Sequence, residues 1–409
     1  MPMNFTRRTS RIIFLIPFLA IFIALQSTAQ VTKAPIMGWS SWNNFRVNID
    51  EQMLRQQADA MITSGLYDAG YRFINIDDGY FGGRDMNGKL FVDTRKFPSG
   101  MKALVDYIHS KKLKAGIYTD AGKNTCGSIW DKDEKGVGSG IYGHIDQDCN
   151  LFFKDWGFNF LKVDWCGGEV LKLDEQTEYT KIISATKAID SNIVFNVCRW
   201  KFPGEWAINK ADSWRISGDI SAKFSSILAI IDIDAGLDKY ASSGHYNDMD
   251  MLQVGRGMSY DEDKTHFSMW CMLNSPLLAG NDLRTMSKQT IDILTNKEII
   301  ALNQDPGFKQ AKRIFRENNV DVWVKPLGVN SDNSCAIAVM NRSDHETVFD
   351  LSAEKINISS KSKLRDLWMH KNLGQIGRSK KITIHKHGVV VLRVSQNVYP
   401  YYMLRIENP

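Results

Sequence analysis

Between residues 37 and 306, short apolar runs ending in polar or aromatic residues alternate with segments whose apolar positions recur at helical spacing. The runs are Ile36 to Trp39, Phe73 to Asp78, Leu113 to Thr119, Phe158 to Asp164, Ile193 to Cys198, Ser213 to Gly218, Gly244 to Met251 and Leu277 to Asp282. Apolar runs of this length interleaved with helices read as βα units of a parallel sheet. In Met101 to Lys111, the apolar Met101, Leu104, Val105 and Ile108 fall on one helical face. Asp50 to Ser64 forms a second helix, with Asp50 as N-cap and Gly65 closing it. Eight strands over about 270 residues predict an α/β fold, a closed (β/α)8 TIM barrel. A doubly wound open sheet is the alternative, but no GxGxxG follows the first run.

Past Asn303-Gln304-Asp305-Pro306-Gly307 the period shortens to two, in Val320 to Val324, Cys335 to Val339, Ile382 to His385 and Val389 to Val394. Turn clusters such as Gly328 to Asn333 separate these runs, which predicts a C-terminal antiparallel β-sandwich. The N-terminus differs again. Arg7, Arg8 and Arg11 precede the apolar run Ile12 to Leu25, and small residues Ser27 and Ala29 follow it. A basic start, a run too short for a membrane span and small residues near Ala29 describe a secretory signal peptide. The expected division is therefore signal peptide 1–30, barrel 31–307 and sandwich 308–409. Secretion or periplasmic export follows, with no membrane association once the signal is removed.

Composition changes this picture little. The 409 residues carry a net charge of +5, part of it in the leader, which gives no argument for nucleic-acid binding. Six cysteines without CxxC spacing make a thiolate metal cluster a poor reading, and no cofactor or metal is called for. The oligomeric state is not legible.

In a parallel barrel, reacting groups stand at the C-terminal ends of the strands. Those ends read Trp39 to Trp42, Asp77-Asp78, Tyr118 to Asp120, Lys162 to Asp164, Cys198 to Trp200, Arg215 to Asp219, Asp248 to Met251 and Asn281-Asp282. Carboxylates and aromatics at nearly every end are more than a core requires, because buried carboxylates must be paired. A polar crevice with aromatic walls suits a sugar, which offers hydroxyls to fixed acceptors and a CH face to rings. Lys162 and Asp164 share one strand face, and the lysine is expected to hold Asp164 ionised as a nucleophile. A structural ion pair explains the pair equally well when it is taken alone. Glycosidic cleavage needs a second carboxylate that keeps its proton. Asp219 is a candidate, and Asp248 or Asp250 would serve as well.

The ordered motifs Gly38-Trp39-Ser40-Ser41-Trp42-Asn43, Asn75-Ile76-Asp77-Asp78-Gly79, Gly116 to Gly122, Lys162-Val163-Asp164, Ser213-Trp214-Arg215, Gly218-Asp219-Ile220 and Asn247 to Met251 resemble glycoside hydrolase family 27. This family comprises the α-galactosidases and α-N-acetylgalactosaminidases. Ser275 to Leu278, Gly280 to Leu283, Asn303 to Pro306 and Leu367 to Gly374 extend the likeness. The resemblance implies a retaining exo-hydrolase acting on a terminal α-galactoside, with Asp164 as nucleophile and Asp219 as acid/base. It implies sugar contacts from Trp42, Asp77, Asp78, Tyr118, Lys162, Arg215, Asp250 and Met251, with Asp77 and Asp78 taking the hydroxyls that distinguish galactose. It also implies a disulfide between Cys126 and Cys166.

Cys198-Arg199-Trp200 departs from the family pattern at the loop that faces the sugar's C2 substituent, and Tyr80 stands where tryptophan is usual. Cys198, Arg199 and Trp200 therefore join the candidate binding residues. Arg199 is positioned to read an acidic sugar; the plainer alternative, which takes precedence, is an ion pair with Glu205 or a neighbouring carboxylate. His385 and His387 have the spacing of a metal pair, but an exposed strand face is the expectation. His245 is a further residue that would line the cleft. Rival readings are an α-N-acetylgalactosaminidase, a β-L-arabinopyranosidase, a non-catalytic sugar-binding barrel and a metal-dependent hydrolase.

Overall fold

The structure is a computed structural model that describes Met1, residues 34–328 and residues 334–395. The leader and most of the 328–333 turn cluster lie outside the described residues. Among the described residues no helix is long and apolar enough to cross a membrane.

Eight parallel strands form the first sheet: β1 Met37–Ser40, β2 Phe73–Ile76, β3 Lys114–Asp120, β4 Phe160–Asp164, β5 Val194–Val197, β6 Ser213–Arg215, β7 Tyr246–Asp248 and β8 Leu277–Ala279. Strands β1 to β7 pair successively in sequence order, and β8 pairs with β1 in the register Met37–Leu277 to Trp39–Ala279. Leu252, just past β7, closes the ring through a parallel bridge to Ala279. The expected (β/α)8 barrel is therefore present. Its strands bury nearly every residue, because helices cover the outside and side chains fill the inside.

Local chemistry explains the two helices expected from sequence. Asp50 caps Glu51–Thr63 by accepting a 2.8 Å hydrogen bond from the Met53 N–H, and Gly65 leaves the helix at φ +85°. Met101–Ser110 buries Met101, Leu104, Val105 and Ile108, the face named from its period. The seventh strand is shorter than its apolar run. Beyond Asp248 the chain turns at Asp250, whose φ of +77° no strand accommodates.

Among the described residues the C-terminal unit has eight strands: β9 Lys312–Glu317, β10 Val320–Pro326, β11 Cys335–Asn341, β12 Thr347–Ser352, β13 Lys363–Asp366, β14 Lys371–Gln375, β15 Ser379–Ile384 and β16 Val389–Ser395. Six form an antiparallel sheet in the order β9-β10-β11-β16-β13-β14, and β12 pairs with β15. Sequence period found β10, β11, β15 and β16. It missed β9, β12, β13 and β14, of which β14 buries none of its five residues and reads as loop. One face of the large sheet packs on the small one through Val320, Val322, Ile337, Val339, Phe349 and Ile384. The other face, through Trp323, Ala338 and Val391, belongs to the same apolar core as the barrel.

Ion pairs link the two units. Asp232, on the barrel helix Phe224–Asp234, meets Arg313, Arg316 and Arg342 from the sandwich, and the fully buried Asp321 lies under the same arginines. His385 and His387 are not on a strand face: they follow β15 and bind Asp261 (3.1 Å) and Glu262 (2.7 Å) of the barrel helix Tyr260–Met272. His387 also stacks on Phe224. Sequence distance had hidden these carboxylates, more than a hundred positions away in the chain.

Lys325 is wholly buried and donates to the Met272 and Lys309 carbonyls and to Asn274 Oδ1, with no carboxylate partner among the described residues. Burial lowers its pKa to about 7. The unfolded chain then binds more protons than the folded one above that pH, so this group's contribution to stability rises from about pH 7 towards about pH 10. We expect the stability difference between wild type and Lys325→Met to move in favour of wild type by more than about 1 kcal/mol across that window. Denaturant titrations at pH 7 and pH 9.5 check it, and a difference independent of pH would refute it.

Candidate active site

The C-terminal ends of the barrel strands converge on a cavity of about 260 Å³ lined by Trp42, Lys162, Asp164, Trp200, Arg215, Asp219, Asp250 and Met251. A narrower recess beneath shares Lys162, Arg215, Asp250 and Met251 and adds Asp77 and Tyr118. Ten of the residues singled out from the sequence thus face one space. The reason is the fold: alternate residues of each strand point inward, and the chain leaves every strand at the same rim.

Asp164 ends β4 and is 5% exposed. Its Oδ2 lies 3.7 Å from Lys162 Nζ, while its buried Oδ1 accepts no hydrogen bond among the described residues. Burial is the largest influence on its pKa and raises it; Lys162 and a hydrogen bond from the Cys198 thiol pull it back, leaving it at about 6. Lys162 is shared more closely with Asp77 Oδ2, at 2.9 Å. The expectation that Lys162 simply holds Asp164 ionised is thus corrected: the ammonium is divided between two carboxylates, and desolvation outweighs it.

Arg215 ends β6 and plays the matching part on the other side. Its Nη2 contacts Asp250 Oδ2 at 2.9 Å and Asp219 Oδ1 at 3.2 Å, and its Nη1 points at Cys198 Sγ at 3.7 Å. Asp250 is buried, and burial pushes its carboxyl pKa up against the pull of Arg215. Both its oxygens also accept backbone N–H bonds, from Ile220 at 2.9 Å and Met251 at 2.7 Å. These bonds secure the left-handed backbone of Asp250. Asp219, by contrast, has a side chain 69% exposed at the cavity rim. Two carboxylates in opposite environments were expected, and they are found, but the buried one is Asp164. Asp219 stands in the open, where an incoming ligand would be the group that desolvates it.

Three of the candidate residues do not line the cavity. Asp78 lies behind Asp77, with Oδ1 accepting from Gly79 N–H (2.7 Å) and Oδ2 from Gly127 N–H (2.6 Å); burial raises its carboxyl to about 7. Cys198 sits between Asp164 and Arg215 as a buried free thiol. Arg199 turns away to Glu175 and Glu169, each at 2.8 Å, so the ion-pair reading is correct in kind but Glu205 is not the partner. With its guanidinium gripped by two carboxylates, Arg199 is not free to read an acidic sugar. His245 is also displaced: it precedes β7, at the far end of that strand, and binds the Ala211 carbonyl.

Cys126 and Cys166 are joined, with Cα atoms 5.2 Å apart. The bond ties the loop after β3 to the segment after β4. It also occupies both sulfurs of the Asp120-Cys126-Cys166 cluster, which would otherwise have the proximity of a metal site. Asp120 supports the same junction by accepting the Gly122 and Gly167 N–H groups at 2.7 and 2.9 Å. The sequence reading missed Asn43, Arg46 and Trp130, which complete the rim. Arg46 lies over the Trp42 ring at 4.5 Å and binds Asp131 at 2.5 Å. Trp130 is 72% exposed at the end of the short helix Cys126–Trp130, and no local pattern in the sequence marks it.

Residues 34–305 match the family described as Alpha galactosidase A, and residues 317–394 match the Alpha galactosidase C-terminal beta sandwich domain. The chain is 41% identical to alpha-galactosidase A of Cellvibrio japonicus (strain Ueda107), over 92% of this chain and 96% of that one. It is 39% identical to an alpha-galactosidase of Oryza sativa subsp. japonica, over 85% and 82% respectively. The crystal structure of alpha-galactosidase I from Mortierella vinacea superposes with a TM-score of 0.81 at 30% identity, covering 90% of this chain and 98% of that one. The chain therefore belongs to glycoside hydrolase family 27, the α-galactosidase family.

Proposed function

We propose that the protein releases terminal α-linked galactose by a retaining mechanism, with Asp164 as nucleophile and Asp219 as acid/base. The observation that carries this reading is the Asp164 carboxyl: buried, with one oxygen unpartnered, and facing a cavity whose rim holds Asp219. An oxygen without a hydrogen bond keeps its lone pair for the anomeric carbon. Lys162 and Arg215 supply the positive charge that keeps Asp164, Asp77 and Asp250 together.

The proton and electron steps follow from these positions. Asp219, protonated, gives its proton to the leaving oxygen while Asp164 Oδ1 attacks C1, breaking the glycosidic bond and forming a glycosyl ester. Asp219, now a carboxylate beside Arg215, takes a proton from water as that water attacks C1 and frees Asp164. Asp77, Asp250, Lys162 and Arg215 hold the sugar's hydroxyls, and Trp42 and Trp200 wall the ring. Export is part of the proposal, supported by the leader-like segment and by the Cys126–Cys166 disulfide, since disulfides persist in oxidising compartments.

Asp164→Gly is expected to lower kcat on p-nitrophenyl α-galactoside by on the order of 10⁴-fold. Azide should then restore part of the rate and yield β-galactosyl azide, because it enters from the face Asp164 vacates. In Asp219→Ala, kcat/KM, which reports the first step, should fall about 10²-fold or more on raffinose, whose leaving group needs a proton, yet stay within about 10-fold on the nitrophenyl substrate, while kcat falls on both because the second step loses its base. Equal losses of kcat/KM on the two substrates would refute the acid/base assignment.

The nucleophile must be ionised, and its carboxyl sits at about 6. Protonation below that pH removes activity, so kcat/KM is expected to fall tenfold per pH unit on the acid side, with the bend near pH 6. A pH profile of kcat/KM on the nitrophenyl substrate checks this; a bend near pH 4 would show that burial does not control the group.

A further inference from the structure

A second cavity, about 460 Å³, opens between the segment after β7 (Gly255 to Asp263) and the segment after β8 (Asn281 to Ile293). Both segments leave the barrel on the same rim as the catalytic cavity. Only one turn of chain separates the two spaces: Asn43 lines the first and Asn44 the second. Arg256 ties that turn down, donating to the Asn43 carbonyl and to Asn44 Oδ1 (2.5 and 2.7 Å).

Two of the lining residues carry buried acceptors that the described residues do not satisfy. Asp263 is 6% exposed; its Oδ2 accepts the Gly255 N–H at 2.9 Å, while its buried Oδ1 has no hydrogen-bond partner among the described residues. Asn281 is 5% exposed, and its side-chain oxygen is likewise buried and unpartnered. Leaving such acceptors without donors costs about 1–3 kcal/mol each, so both groups point to a hydroxyl-bearing ligand. Gly255, at φ +76°, lets the segment after β7 pack directly against Thr290 of the segment after β8, since a Cβ there would meet Thr290 Oγ1 at 2.6 Å.

Charge narrows the ligand class. Arg256 has only neutral acceptors, Gln253, Asn44, Asn43 and Gly280, and no carboxylate partner among the described residues. Asp282, at the cavity edge, is already held by Arg284 at 2.6 Å. An anion would have to face Asp263, and a cation would have to face Arg256. A neutral polyol faces both without charge conflict. Burial raises the Asp263 carboxyl to about 7, so at neutral pH it serves hydroxyls either as acceptor or as donor. At the rim, Tyr260 is 45% exposed and Met258 lies beside it, giving the apolar face on which a pyranose ring stacks.

We propose that this cleft is an accessory binding site for a neutral pyranose unit, namely a residue of the polysaccharide backbone whose galactose branch enters the catalytic cavity. The source of the sugar rests on the hydrolytic reading above; the binding does not. An enzyme with this site grips a polymer at two places, and the second grip acts on capture of the chain and leaves the chemistry at the anomeric carbon unchanged.

The test is calorimetric titration of the full-length protein with galactose, β-1,4-linked manno-oligosaccharides, xylo-oligosaccharides and cello-oligosaccharides. It is paired with kinetics on p-nitrophenyl α-galactoside and on galactomannan. At least one of the galactose-free oligosaccharides should bind wild type without displacing galactose. Its affinity should fall about tenfold in Tyr260→Ala and further in Asp263→Leu. For Tyr260→Ala, kcat/KM should drop severalfold on galactomannan and hold on the nitrophenyl substrate. Gln289→Ala serves as a second exposed lining variant if Asp263→Leu does not fold. Binding of galactose alone at this cleft would support the sugar site but reject a polymer backbone as its occupant. Binding of none of the sugars, or binding unaffected by all three substitutions, overturns the proposal. Loss of nitrophenyl hydrolysis in wild type would strike the hydrolytic reading instead, leaving the titration to stand on its own.

Discussion

The site depends on two cations buried among more carboxylates than they can neutralise singly. Lys162 is shared by Asp77 and Asp164, and Arg215 by Asp250 and Asp219. Carboxylates crowded in a dry barrel mouth raise one another's pKa, and without the cations they would take up protons. With the cations present, attraction holds back part of the rise that burial causes at Asp164, leaving its carboxyl at about 6. The result is a group ionised near neutrality yet poorly solvated, the condition under which a carboxylate is most reactive.

Holding that arrangement demands a rigid frame, and backbone donors supply part of it. Asp78, Asp120 and Asp250 each accept two backbone N–H groups from loops that follow different strands. Their carboxylates act as staples between loops, and the Cys126–Cys166 bond adds a covalent one. Several carboxylates that looked alike in sequence thus divide into two kinds: Asp77 and Asp164 face the cavity, whereas Asp78 and Asp120 hold its wall. The sandwich buttresses the barrel from the side, where Asp232 and Asp321 gather three arginines and Lys325 reaches into the barrel's last turns.

Much of this was legible in the chain because it follows from local periodicity. Eight buried strands betray themselves as apolar runs, and the polar residue at the end of each run must lie at the rim. The interval from Ile193 to Cys198 marked β5, and the Asp50 cap marked the start of its helix. Other features had no local signal. Edge strand β14 buries nothing and so carries no period. The partners of Arg199, His385 and His387 come from elements distant in sequence, and no spacing rule links them.

The sequence by itself determined the barrel, the sandwich, and the ring of carboxylates and aromatics at the strand ends, since hydrophobic period and strand polarity are properties of neighbouring residues. Only the tertiary structure decided how charge is shared among them: that Lys162 favours Asp77 over Asp164, that Asp219 is the exposed member of the pair, and that Arg199 faces Glu169 and Glu175. The physical reason is that electrostatic energy depends on distance and on burial in three dimensions. Neither quantity is a function of position along the chain.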